Sequence, residues 1–67
     1  MKSVLNILGI KSMTDVNKIR RAVSNNEGVI ACQITKDKGQ VSIVYDSKCI
    51  MLADIEESIE DLGYTIL

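Results

Sequence analysis

The stretch VIACQITKDKGQVSIVY, residues 29–45, predicts two strands joined by a tight turn. Both arms are rich in β-branched residues, and in the second arm apolar side chains recur at every other position, as along a strand with one buried face. The segment Lys36–Gly39 is charged and ends on a glycine, which can supply the positive φ of a hairpin turn. We therefore predict strands over Val29–Thr35 and Gln40–Tyr45.

An amphipathic helix is predicted on each side of this hairpin. Before it, Val16, Ile19 and Val23 recur at spacings of three and four, which indicates one buried stripe. After it, apolar residues recur in the same way over Leu52–Leu62, and Gly63 ends that helix. Because each helix has only one apolar stripe, both are expected to cover the same face of a sheet.

Two outer strands complete the pattern, one over Lys2–Leu8 and a short one over Tyr64–Leu67. In the first of them, Leu5 and Ile7 share one face. The order β-α-β-β-α-β predicts an α+β, ferredoxin-like fold, in which two crossovers share the central hairpin. We expect a four-stranded antiparallel sheet with the helices on one face, formed by a single domain over residues 1–67.

Composition excludes several classes of function. The net charge is −1, and the chain has no His, Phe or Trp, so neither nucleic-acid binding nor His-based catalysis is expected. No apolar run is long enough for a membrane span, and no signal peptide is indicated, so we expect a cytoplasmic protein. With no histidine, no Gly-rich phosphate loop and only 67 residues to form a substrate pocket, we expect that it is not an enzyme. The spacing of Cys32 and Cys49 fits no zinc or redox motif.

Short motifs spread along the chain resemble one known family. The resemblance is to the heavy-metal-associated domain family, which includes copper chaperones, the mercury-binding periplasmic protein and the N-terminal domains of metal-transporting ATPases. It covers nearly the whole chain, and its order and spacing are more specific than any single piece. The pieces with the clearest match are Gly9-Ile10, Ala22-Val23, Gly28-Val29, Tyr45-Asp46 and Gly63-Tyr64.

The family binds its metal in a GMxCxxC loop between the first strand and the first helix, where two thiolates hold a soft ion such as Cu(I). In this chain the loop is GIKSMTD, with Ser12 and Asp15 at the two cysteine positions and Ile10 at the methionine position. The resemblance therefore implies a degenerate metal loop, in which Ser12, Met13 and Asp15 form no confident metal site. Ser12 and Asp15 also fit a capping box at the start of the first helix.

The charged residues predict a surface for a protein partner. The resemblance implies docking of a partner such as a metal-transporting ATPase domain, by charge complementarity around the loop and helices. The alternative is a pair of solvated faces, since exposed ion pairs contribute little to stability. Tyr64 could pair with the loop or pack at the sheet edge. The candidate partner-binding residues are Lys18, Arg20 and Arg21 on the first helix, Glu56, Glu57 and Glu60 on the second, and Tyr64.

The two cysteines have separate interpretations. Cys32 and Ile34 share the inward face of their strand, where a thiol packs as a small hydrophobe. Cys49 precedes the second helix and is expected to be exposed, with no sign of a lowered pKa.

Three functions stay open at this point. The first is a metal-free interaction module related to metal transport or homeostasis. The second is a weak or non-classical metal-binding chaperone that uses Asp15 and Met13, or Cys49 between two chains. The third is a homodimer through the open sheet face, where Val4, Leu8 and Val44 would be exposed.

Overall fold

A computed structural model describes all of residues 1–67 and has the predicted order of elements. The sheet order is β2-β3-β1-β4, and every pair of neighbouring strands is antiparallel. The ferredoxin-like βαββαβ fold is therefore confirmed. The elements are β1 (Lys2–Leu8), α1 (Met13–Ser24), β2 (Val29–Thr35), β3 (Gln40–Tyr45), α2 (Leu52–Glu60) and β4 (Thr65–Ile66), with a 3₁₀ turn at Lys36–Lys38.

The core lies between the helices and one face of the sheet. Ile19 on α1 and Ile55 on α2 are fully buried, and both belong to the cluster that contains Ile43 of β3. The opposite face of β1 is open, with Val4 51% and Leu8 60% exposed. Both helices thus cover the same sheet face, as their single apolar stripes predicted. Neither helix has the length and apolar content to cross a bilayer.

The end of α2 differs from the prediction. The helix was expected to reach Leu62 but ends at Glu60, and Leu62 is 43% exposed. The Leu62 N–H donates to the Ile59 carbonyl and the Gly63 N–H to the Glu60 carbonyl. These hydrogen bonds join residues three positions apart, as in a 3₁₀ helix, and so tighten the last turn. This tightening rotates Leu62 away from the buried stripe. The last strand is also shorter than predicted and spans Thr65–Ile66.

Candidate functional site

The loop between β1 and α1 is closed by a capping box. Ser12 is the N-cap residue of α1, and its hydroxyl accepts a hydrogen bond from the Asp15 N–H at 3.5 Å. In return, Oδ2 of Asp15 accepts from the N–H groups of Ser12 at 3.2 Å and Lys11 at 3.0 Å. A carboxylate at this position also interacts favourably with the positive end of the helix dipole. The sequence interpretation of Ser12 and Asp15 as helix caps therefore agrees with the structure.

Tyr64, which follows α2, reaches the same carboxylate from the other end of the chain. Its hydroxyl donates a hydrogen bond to Oδ1 of Asp15. Its ring lies against Gly9, where an added Cβ would be 3.4 Å from Cδ1 of the ring. Of the two interpretations left open for Tyr64, the structure has the hydroxyl paired with the loop.

The contact between Tyr64 and Asp15 shifts the pKa values of the two groups in opposite directions. The Tyr64 hydroxyl, followed by the backbone N–H of Lys11, lowers the pKa of Asp15, because these donors stabilise the charged form. The hydrogen bond that Tyr64 donates to Asp15 raises the pKa of Tyr64 to about 12. At neutral pH the pair is a carboxylate that accepts from a neutral phenol.

The donor atoms of the loop do not fit Cu(I). Cu(I) is a soft ion that selects sulfur, whereas positions 12 and 15 present a hydroxyl and a carboxylate. Oδ2 of Asp15 also accepts from the Ser12 hydroxyl at 3.4 Å, so these oxygens are already hydrogen-bonded to each other. The sulfur of this loop is the thioether of Met13, whose side chain is 57% exposed. No group of three or more His, Cys, Asp or Glu side chains elsewhere could hold a metal ion.

Cys49 lies at the opposite end of the sheet from the loop. It packs beside Gly28, which precedes β2, whereas the loop follows the far end of β1. As predicted it is exposed, and its thiol donates to Oδ2 of Asp46 at 3.5 Å. This bond and the charge of Asp46 raise the pKa of the Cys49 thiol. The thiol is therefore less ionised than an ordinary one, which weakens it as a nucleophile and as a metal ligand.

Cys32 lies half-buried against the core, as its position on the inward face of β2 predicted. Burial raises the pKa of its thiol, and the nearby positive charge of Arg20 partly opposes that change. Cys32 is thus a packing residue rather than a reactive one.

The structure divides the predicted basic cluster of α1. Lys18 and Arg21 both line an open cleft, because residues three apart lie on the same side of a helix. Arg20 is exposed on another side of α1, from which its charge reaches Cys32 of β2. We call this groove the α1 cleft; its lining residues are Thr14, Asn17, Lys18, Arg21, Ala22, Asn25 and Leu62.

The acidic residues of α2 form a separate surface. Glu57 and Glu60 are exposed, and Glu56 is partly buried. None of these residues lines the α1 cleft, so the two charged surfaces are distinct. The sequence analysis missed Leu62 as an exposed apolar residue of the cleft, because the helical period placed it in the core. It also missed Lys11, which contributes through its backbone N–H and so leaves no side-chain signal.

Fold and site together define a class: a small ferredoxin-like domain whose distinctive loop joins the first strand to the first helix. The heavy-metal-associated domain family matches residues 3–65, and the chain belongs to this family. The sequence resemblance to that family is therefore confirmed.

Relatives of known sequence and structure agree with this assignment. The copper chaperone CopZ of Staphylococcus aureus is 27% identical over 98% of this chain and 97% of its own length. A solved CopZ metallochaperone superposes with a TM-score of 0.98 at 27% identity, covering 100% of both chains. A copper-binding domain of HMA7, a P-type ATPase, has a TM-score of 0.90 at 26% identity over 98% of this chain and 92% of its own. The chain is thus a heavy-metal-associated domain related to copper chaperones and metal homeostasis.

Proposed function

We propose that this chain is a partner-binding module of metal homeostasis whose loop carries no Cu(I). One observation carries the proposal: the residues at the two thiolate positions are hydrogen-bonded to each other, and Tyr64 also donates to Asp15. A Cu(I) ion would have to displace these bonds and would gain only oxygen ligands at positions 12 and 15 in return. The fold and the docking surface are kept, while the cargo site is given up.

The partner that this surface fits is the metal-binding domain of a P-type ATPase. The likeness to such a domain supports this choice, since chaperone and transporter domains of the family share one fold. The α1 cleft presents Lys18 and Arg21 beside the exposed side chain of Leu62. A partner with acidic side chains around an apolar one would match it. Charge complementarity of this kind governs encounter rate and specificity.

The test is a binding titration of the chain with the N-terminal metal-binding domain of a copper ATPase from the same organism, without copper. We expect binding that follows the cleft: reversing Lys18→Glu together with Arg21→Glu should weaken it by about tenfold or more.

The matched control for this test is Lys2→Glu with Lys48→Glu. It makes the same change in charge at exposed positions that do not line the α1 cleft. The control should bind like the wild type. Equal losses in the two double variants would indicate only a general charge effect, and no binding by the wild type would reject the proposed partner.

Other interpretations of the sequence stay predictions. A weak Cu(I) chaperone would require uptake through Met13 and Asp15, or through Cys49 shared by two chains. A homodimer would use the open face, where Val4 and Leu8 are exposed and Val44 is partly buried. Light scattering over a range of concentrations tests that dimer. A matching relative is named as a copper chaperone, which supports a role without catalysis. The cytoplasm remains the predicted location.

A further inference from the structure

The loop from Gly9 to Asp15 is held at both ends by Tyr64. The Tyr64 ring covers Gly9, and its hydroxyl donates to Asp15. Tyr64 itself packs against the core cluster, which holds its ring in position. The two ends of the loop are therefore tied to one side chain that lies far away in the sequence.

Within the loop, positions 12 and 15 are joined directly. The Ser12 hydroxyl accepts from the Asp15 N–H at 3.5 Å and donates to Oδ2 of Asp15 at 3.4 Å. In the family pattern, a bound ion would bridge the thiolates at these same two positions. Here hydrogen bonds within the chain make that bridge. We call Ser12, Asp15 and Tyr64 the Asp15 cluster.

We propose that the Asp15 cluster replaces the metal ion as the link that holds the loop in one conformation. Asp15 supplies the acceptor atoms, and Tyr64 is a positioning residue that aims its carboxylate. Because the link belongs to the chain, the loop end of the molecule keeps its shape whether or not Cu(I) is present. On the basis of the proposed function, partner binding then does not depend on bound Cu(I).

Two variants isolate the parts of the cluster. Tyr64→Phe keeps the ring over Gly9 and removes only the donor, whereas Asp15→Ala removes every acceptor atom of the carboxylate. Asp37→Asn, at an exposed position in the β2–β3 turn, controls for the loss of one negative charge.

The first measurement is hydrogen exchange of the Lys11 and Ser12 amides, which donate to Asp15. We expect their exchange to rise about tenfold in Asp15→Ala, which removes the acceptor of both amides. In Tyr64→Phe the acceptor stays but is no longer held by the phenol, so we expect a rise of about threefold. The amide of Ile43 in β3 reports global unfolding and should change far less. A residue with a merely structural role would instead change the loop and the sheet amides together.

The second measurement is affinity for the ATPase domain, with and without one equivalent of Cu(I). Wild-type affinity should be the same in both conditions and should fall in Asp15→Ala and Tyr64→Phe. Unchanged loop exchange in both variants overturns the link, and affinity that rises with Cu(I) overturns independence from cargo. If the wild type does not bind the domain, the proposed function fails, and the exchange data alone then decide whether the Asp15 cluster holds the loop.

Discussion

The Tyr64 hydroxyl donates a hydrogen bond to the Asp15 carboxylate, and this contact joins the segment before β4 to the first turn of α1. The two residues are 49 positions apart in the sequence, so the bond connects two distant parts of the chain. It also occupies the carboxylate that the sequence resemblance aligns with the second thiolate of the family's loop. This one interaction thus ties the segment after α2 to the loop at the start of α1.

The Tyr64–Asp15 bond predicts an unusual phenol titration. The phenolate absorbance of the wild type minus that of Tyr64→Phe should show Tyr64 ionising near pH 12 instead of its ordinary value of 10.0. Asp15→Asn should move that transition back towards 10.0, because the carboxylate that accepts the phenol's hydrogen bond, and with it the negative charge, is gone. An unchanged curve in Asp15→Asn would show that Asp15 is not the cause.

The same shift fixes the sign of the pH dependence. The folded-state pKa of Tyr64 is raised, so its contribution to stability is fully present below pH 10.0 and is lost as pH rises towards 12. The pKa of Asp15 is lowered from 3.8, so its contribution is present above that value and is lost as pH falls through the lower folded pKa. Denaturation midpoints of wild type and Tyr64→Phe should therefore converge at strongly alkaline pH.

Gly28 is predicted to tolerate alanine less well than Gly63. Both have positive φ, +97° and +98°, so Gly→Ala imposes a similar backbone strain at each. A Cβ at Gly28 would lie 2.8 Å from Cβ of Cys49, whereas nothing lies within 4 Å of one at Gly63. Urea denaturation should show Gly28→Ala less stable than Gly63→Ala by about 1–3 kcal/mol. Equal losses would mean that the strand entry relaxes freely around the new methyl group.

Asn26 is predicted to stabilise the contact between the two helices. Its side-chain amide donates to the Ala22 carbonyl at 3.1 Å and the Val23 carbonyl at 3.3 Å, at the end of α1. It also donates to the Ser58 hydroxyl of α2 at 3.1 Å. Asn26→Ala should lower the free energy of unfolding by about 1–3 kcal/mol, because partly buried acceptors lose their partner. Asn25→Ala, which removes an exposed side chain next to it, is the control and should cost markedly less.

Cys49 is predicted to react slowly with iodoacetamide at neutral pH. The hydrogen bond to Asp46 and its charge raise the thiol pKa, and Glu27 adds a smaller contribution of the same sign. Since the thiolate is the nucleophile, Asp46→Asn should speed alkylation clearly and Glu27→Gln only slightly. Asp37→Asn should leave the rate unchanged. A rate in Asp46→Asn no faster than in the wild type would contradict the assigned cause.

Periodicity predicted the elements and most of the core, because Ile19 and Ile55 follow the helical repeat that the structure buries. It failed where tertiary geometry decides. Leu62 continues the α2 repeat but is turned outward by the tightened last turn, and Ile50 is buried although it lies outside any repeat.

The candidate site was predicted in part. The capping box follows from the spacing of Ser12 and Asp15, and pairing with the loop was one of two interpretations given for Tyr64. Its choice between loop and sheet edge could not be made, because it depends on where the end of α2 lies in space. The grouping of Lys18 with Arg21 depends in the same way on the cleft beside Leu62.

The central claim is that a hydrogen-bonded carboxylate stands where a soft ion would be held, and Cu(I) titration against a competing chelator under reducing conditions tests it most directly. The account predicts that wild type and Cys49→Ser take up no Cu(I) tightly, whereas Ser12→Cys with Asp15→Cys gains a tight site of one equivalent. Circular dichroism should show the same fold in all of them. Tight uptake of one equivalent by the wild type, lost in Asp15→Ala, would contradict the account.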